Sequence, residues 1–228
     1  MCGGPLRSPA MKTSAWDYVW SSLLIALVLA ADVALVAFGV TPLSRRWLGP
    51  YHVLADLAAA MLLYGLLSAL VLRTMLTLRP LPRGEFDMDS GVFTYWKLLT
   101  VTCRLGQGAL RPLTPIFFKP LIEVLYGARI GADVALGGTI DDPYLVTLGD
   151  GVILGNASLV SGNVIANGRI RIGEVRIASG ATIGANAIVL PGSQIGEKAL
   201  VIAGAMVIAD SVIPPGETWR GNPARKWL

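Results

Sequence analysis

Histidine is nearly missing: the 228 residues contain one, His52. That excludes a metal centre built from clustered imidazoles, and no metal is expected. Cysteine is almost as scarce. Cys2 and Cys103 lie far apart with no nearby ligand partners, so they form neither a disulfide framework nor a zinc site. Charged residues make up 15% of the chain, against about 25% in an ordinary soluble domain. The net charge of +4 is small and shows no basic cluster of the kind that nucleic acid requires. Apolar residues, by contrast, reach 54%, and the mean hydropathy is +0.60. So much apolar surface with so little charge needs a bilayer to face as well as a core.

Two apolar runs supply most of the excess. Residues 20–40 read WSSLLIALVLAADVALVAFGV and residues 53–72 read VLADLAAAMLLYGLLSALVL. Each is about the 20 residues that cross roughly 30 Å of hydrocarbon as a helix. The connector TPLSRRWLGPYH is short, which predicts an antiparallel two-helix transmembrane hairpin within a first segment, 1–78. A cleaved signal peptide fits poorly, because the first run is long and a second follows at once. Lys and Arg near the span ends set orientation. Arg7 and Lys12 precede the spans, and Arg79, Arg83, Lys97, Arg104, Arg111, Lys119 and Arg129 follow them, against Arg45 and Arg46 in the connector. Both termini are therefore expected on the cytoplasmic side. Asp32 and Asp56 are acids within the spans, a pattern that marks function by default. The competing reading has each protonated, or bonded across the pair to Tyr64, Ser68 or His52.

A second segment, 79–127, holds two apolar stretches too short to span, VFTYWKLLTVTCRL and LTPIFFKPLIEVLY. Lys97, Arg104 and Arg111 are seven apart and would form one basic stripe on a helix. The stretches are read either as interfacial helices on lipid headgroups or as packing surface for the domain that follows.

The third segment, 128–228, has a period of six. Ile130, Leu136, Leu148, Leu154 and Val160 share one register, which Asp142 alone breaks. The register resumes one step out of phase at Ile177, Ile183, Val189, Ile195, Val201, Val207 and Ile213. Fixed-period repetition marks a solenoid. Three hexads per coil predict a left-handed parallel β-helix of four to five coils over residues 130–218, with the aliphatic residues stacked inward. Residues 161–176 break the register, and an irregular coil or a small protruding loop is expected there. In a solenoid such an insertion usually maps to the binding face.

The run IGANAIVLPGSQIG at 183–196, the AGAMV step at 203–207, the IPPG turn at 213–216 and the terminal GNPAR at 221–225 occur in order. Together they resemble the C-terminal half of the bacterial hexapeptide-repeat acyltransferases. LIEVLYGARIG at 121–131 and IDDPYLVTLGDGVILG at 140–155 resemble the membrane-anchored modules at the tails of polylysine-synthetase-like nonribosomal peptide synthetases. In those modules a pair of membrane spans precedes each β-helix. The resemblance implies transfer of an acyl group, usually acetyl from acetyl-CoA or another acyl-CoA, to a hydroxyl or amine. It also implies a groove between neighbouring subunits of a homo-oligomer, a trimer in that family. On its pattern Gly184, Ala203, Gly204 and Ala205 line the pantetheine arm, while Asn222, Pro223, Ala224 and Arg225 approach the adenine and phosphates. Arg220 and Lys226 add charge there. Coil geometry for the glycines, and a solvated basic tail for Arg220, Arg225 and Lys226, are the plainer readings.

The departure from the family is the base. Most hexapeptide acyltransferases use a histidine to take the acceptor's proton; at its expected place, 161–165, this chain reads SGNVI. Three accounts stay open. Asp141 or Asp142 in the IDDP corner acts as base, although Asp before Pro is a routine turn former. Asn163 orients an acceptor that needs little base assistance. Or the site is inactive, leaving a β-helical scaffold or ligand-binding module. A β-helical carbonic anhydrase is excluded, since its site needs three histidines. The sequence reading is thus an acyltransferase at the bacterial inner membrane. Its β-helix faces the cytoplasm, and its acceptor is a small molecule or lipid-linked.

Overall fold

The structure is a computed structural model that describes residues 15–227. Cys2, and Arg7 and Lys12 from the set of basic residues that gave the expected orientation, lie outside the described residues. The chain divides into two compact units. Among the described residues, one takes 15–81 with Thr94–Ile122; the other takes Pro82–Phe93 and 123–227.

The first unit is helical. A continuous helical stretch, Ala15–Leu78, is long and apolar enough to cross a membrane, and little of it is buried. It changes type along its length. Helix α1 (Ala15–Leu35) runs into a π-helical turn, Val36–Val40, then α2 (Thr41–Leu48), a 3-10 turn at Gly49–Tyr51 and α3 (His52–Leu78). At Gly49 the backbone leaves helical geometry, with φ 54° and ψ −125°; a positive φ suits the residue without a Cβ. Residues of α1 and α2 contact α3. Thr41 Oγ1 donates to Asp56 Oδ2 at 2.9 Å and Ser44 Oγ to Oδ1 at 2.6 Å, so Asp56 finds hydroxyl partners on α2 rather than Tyr64, Ser68 or His52. Asp32 is 3% exposed, and its Oδ1 meets no donor among the described residues. Leu27, Phe38, Trp47 and Leu54 stand exposed.

Helix α4 (Gly91–Leu110) buries Tyr95, Trp96, Leu99, Cys103 and Leu110. The expected basic stripe does not form. Arg104 and Arg111 are exposed, but Lys97 turns into the unit and pairs with Asp17 of α1, both side chains nearly buried. The reason is electrostatic: an acid placed in a poorly solvated setting recruits the cation that can reach it. A close helix contact sits at Gly65, where a Cβ would fall 2.3 Å from Leu110 Cγ.

The second unit is a β-solenoid of about five coils. After α5 (Lys119–Leu125), coil one is β2 (Arg129–Ile130), β3 (Ala135–Leu136) and β4 (Thr139–Asp141). Coil two is β5 (Val146–Leu148), β6 (Ile153–Leu154) and β7 (Leu159–Ser161). An insertion carries β8 (Asn163–Ala166) and β9 (Arg169–Ile172). Coil three is β10 (Val175–Ile177), β11 (Thr182–Ile183) and β12 (Ile188–Val189). Coil four is β13 (Gln194–Ile195), β14 (Leu200–Val201) and β15 (Met206–Val207), and the last holds β16 (Val212–Ile213), β17 (Thr218–Arg220) and the returning β18 (Arg225–Lys226). Three parallel sheets result. The first side stacks β2-β5-β10-β13-β16, the second β3-β6-β11-β14-β17, and the third β4-β7-β12-β15.

The register follows the hexads. Ile177, Ile195 and Ile213 align on the first side, Ile183 and Val201 on the second, and Val189 and Val207 on the third. All are at most 2% exposed. The break at Asp142 has a physical explanation: Ile140, not residue 142, pairs with Val160 and fills the core at 3% exposure. The first coil reaches its third side two residues early, and a 3-10 turn, Pro143–Leu145, restores the length. The insertion is a hairpin, more regular than the expected irregular coil. Its turn is Asn167–Gly168, with φ 51° and 76°, as a two-residue hairpin requires. A strand not foreseen, β1 (Gly84–Asp87), pairs antiparallel with β9, Phe86 opposite Ile170.

Candidate functional site

Asp142 occupies the corner between the third and first sides, its backbone left-handed at φ 55°, a conformation that Asp tolerates better than most residues. Its side chain is 6% exposed. A buried carboxylate needs donors, and the corner supplies them. Tyr144 Oη donates to Oδ1 at 2.8 Å, and Asn163 Nδ2, at the mouth of the inserted hairpin, donates to Oδ2. Ser161 Oγ donates to the Asn163 carbonyl at 2.8 Å and accepts from its N–H at 3.4 Å, which fixes the backbone there. Gly162 makes the approach possible: a Cβ on it would lie 2.8 Å from Leu145 Cβ and 3.3 Å from Asp142 Cβ.

Two of the three expected catalytic residues, Asp142 and Asn163, thus meet in one hydrogen-bonded cluster. Asp141 stands beside it on β4, opposite Ser161 in register, and its carbonyl accepts from the Gly162 N–H at 3.4 Å. Tyr144 and Gly162 escaped the sequence reading. Their signal was faint: an aromatic two residues past an Asp, and a glycine second in the register break.

The residues expected at the cofactor lie elsewhere. Gly184 and the Ala203–Gly204 turn stack at the corner between the second and third sides. A Cβ on Gly184 would fall 2.3 Å from Ala203 N, so coil stacking by itself demands glycine. Ala203 and Gly204 are exposed, whereas Ala205 is 1% exposed and turns its methyl inward. The third side, with outward Leu159, Ile188 and Met206, runs between this corner and the one that holds Asp142.

The tail folds back as a hairpin. β18 pairs with β17, setting Arg225 opposite Arg220. Ala224 is buried, and its N–H bonds the Met206 carbonyl at 2.8 Å. Asn222, Pro223 and Arg225 are exposed. The Arg220 guanidinium sits over the Trp227 ring, 4.5 Å from its centroid. Like charges directly opposite on one face repel, and the Arg220–Trp227 contact holds one of the two guanidinium groups to the ring. Glu217 accepts from Lys226 Nζ at 2.7 Å and Trp219 Nε1 at 2.9 Å; the bond from Lys226, then that from Trp219, hold its carboxyl below the usual range. Among the described residues no group of His, Cys, Asp or Glu could hold a metal ion.

No family model matches the chain. Among curated proteins, the Delta-poly-L-ornithine synthetase of Acinetobacter baumannii (strain AB307-0294) is 31% identical over 101 residues, 44% of this chain; the match spans 8% of that much longer relative. Among solved structures, a hexapeptide-repeat-containing acetyltransferase from Vibrio cholerae complexed with acetyl coenzyme A has a TM-score of 0.42 at 22% identity, covering 45% of this chain and 60% of that one. A maltose O-acetyltransferase from Clostridium difficile 630 has a TM-score of 0.40 at 20% identity, covering 68% and 95%. The chain is thus similar over 44% of its length to a poly-ornithine synthetase, and these two acetyltransferases are among the solved structures that it is similar to.

Proposed function

We propose that the chain is a membrane-anchored acyltransferase that moves an acyl group, in the first instance acetyl, from acyl-CoA to a hydroxyl or amine of a membrane-associated acceptor. The observation that carries this reading is the arrangement around the third side of the solenoid. A polar cluster of the buried Asp142 with the half-buried Asn163 and Tyr144 marks its exit corner, and the Gly184 and Ala203–Gly204 corner marks its entry. On this reading the pantetheine arm follows the entry corner through backbone groups of Gly184, Ala203, Gly204 and Ala205, and the exposed Arg220–Arg225 pair with Asn222 and Pro223 takes the phosphates and adenine.

The finer parts belong to the same proposal. The coils wind left-handed. The contacts of α1 and α2 with α3, and the bonds from Thr41 and Ser44 to Asp56, support a transmembrane hairpin. Exposed Leu27, Phe38, Trp47 and Leu54 face lipid. The solenoid lies on the cytoplasmic side, where acyl-CoA is made, and the groove forms between copies of a homotrimer.

Calorimetry of acetyl-CoA binding to the detergent-solubilised chain tests the proposal. Heat of binding and a thermal shift are expected. Arg225→Glu should weaken binding more than Asp142→Asn, whereas Asp142→Asn, which disturbs the partner of Asn163, should harm turnover more. Neither heat nor shift at millimolar ligand leaves only the scaffold reading.

A further inference from the structure

We propose that the acceptor is an amine that arrives unprotonated, held by Asn163 rather than activated by a base. This inference rests on the acyl-CoA reading above and narrows its acceptor. Three observations carry it. The only imidazole, His52, belongs to the helical unit and not to the solenoid unit. Asp142, the buried carboxylate at the corner, accepts one hydrogen bond on each oxygen, from Tyr144 and from Asn163, so the carboxyl is engaged in holding those two side chains. And because the Asn163 amide group donates to Asp142, its Oδ1 points away from that carboxylate as a fixed acceptor.

An amide oxygen accepts a hydrogen bond but takes no proton. It is matched to a nucleophile that offers N–H while keeping a lone pair for the attack, which a neutral amine does. A hydroxyl has a lone pair too, but it must give up its proton as the bond forms, and general-base help for that is typically worth about 10²–10⁴-fold. In the amine case the nitrogen lone pair forms the C–N bond at the thioester carbonyl and the C–S bond breaks. The departing CoA thiolate takes the proton that the nitrogen sheds, so the products are the amide and free CoA thiol. Asn163 is then the group that touches the acceptor. Asp142 and Tyr144 are positioning residues, and Gly162 lets the backbone close on them.

The test uses the full chain in detergent with acetyl-CoA and two small probes of similar size, methoxyamine, which is unprotonated near neutrality, and methanol. CoA thiol release is followed across neutral pH. Methoxyamine should be acetylated above the protein-free rate with no pH limb, and methanol should not. Asn163→Ala should lower the methoxyamine rate by about 10²-fold, the scale of losing a positioning contact, with acetyl-CoA affinity unchanged. Asp142→Asn should lower kcat while leaving KM for acetyl-CoA in place. Asn163→His should bring in a limb near the imidazole pKa of about 6.5 and allow methanol to react. Equal turnover of methanol and methoxyamine by the unaltered chain overturns the inference. So does a pH limb that Asp141→Asn abolishes, or acetyl-CoA binding with neither probe acetylated. Absent acetyl-CoA binding, the acyl-CoA reading itself falls, and calorimetry separates that outcome from the others.

Discussion

At the scale of single residues, the corner around Asp142 shows how one buried carboxylate organises its surroundings. Removing it strands two donors. Asp142→Ala leaves the Tyr144 hydroxyl and the Asn163 amide without their acceptor, and an unsatisfied buried donor costs about 1–3 kcal/mol. Both donors are half-buried and water can reach them, so a loss of about 1–2 kcal/mol in thermal or urea unfolding is expected, larger than for Tyr144→Phe, which removes one donor along with its need. Glu217 gives a pH prediction with a definite sign. Bonds from Lys226 and Trp219 lower its pKa below the ordinary 4.5. Its contribution to the folded tail is therefore complete above that ordinary value and is lost as pH falls through the lowered one. Amide exchange at Ala224 and Trp227, whose N–H groups bond the Met206 and Thr218 carbonyls, should accelerate in that acid range. In Glu217→Gln the acid-dependent part of the change should vanish.

At the scale of elements, the hexads made the solenoid legible because one rule, an inward aliphatic every six residues, repeats with few exceptions and needs no distant partner. Elements whose form depends on remote partners were hidden. Strand β1 is short, and three of its four residues are exposed; it exists because β9, far along the chain, offers an edge, with Arg171 reaching Glu85 and Arg169 reaching Asp87. Lys97 reads as one of a basic stripe until Asp17, 80 residues away, claims it. The candidate site was half legible. Asp142 showed itself by breaking the register and Asn163 by standing where a histidine was expected, but Tyr144 and Gly162 gain meaning only once the corner closes. The same logic separates two glycines. Gly184→Ala should destabilise the solenoid whatever it binds, because its Cβ would meet backbone 2.3 Å away. Gly162→Ala should disturb the Asp142–Asn163 corner in particular, since its Cβ would meet Leu145 and Asp142 side chains. Circular dichroism melting should show the first loss, and acetyl transfer at a temperature where both variants are folded should show the second.

At the scale of the molecule, the three sides of the solenoid differ in what they offer to a neighbour. The outward column of the first side is Arg129, Thr147, Arg176, Gln194 and Val212, mainly polar. On the second it is Ala135, Ile153, Thr182, Leu200 and Thr218, with Ile153 47% and Leu200 39% exposed. On the third it is Thr139, Leu159, Ile188 and Met206. On the third side outward apolar residues of consecutive coils line up as a ladder, whereas on the second Thr182 stands between Ile153 and Leu200; such side chains facing water are a loss that association recovers, at about 25 cal/mol per Å² of apolar area covered. If copies meet through the second and third sides, a cleft closes along the face between the Asp142 corner and the Gly184 corner, and acyl-CoA binding requires the assembly. Binding to the folded state alone at a hundred times Kd stabilises by about 2.7 kcal/mol, which a melt resolves. Ile153→Asp with Leu200→Asp should reduce the assembly to single chains in sedimentation and abolish the acetyl-CoA thermal shift, while the solenoid keeps its strand signal in circular dichroism. Arg176→Asp, on the polar side, should do neither. An unaltered chain that sediments as a monomer and still shows the full shift would place the donor site within one copy and leave these outward apolar residues without a role in binding.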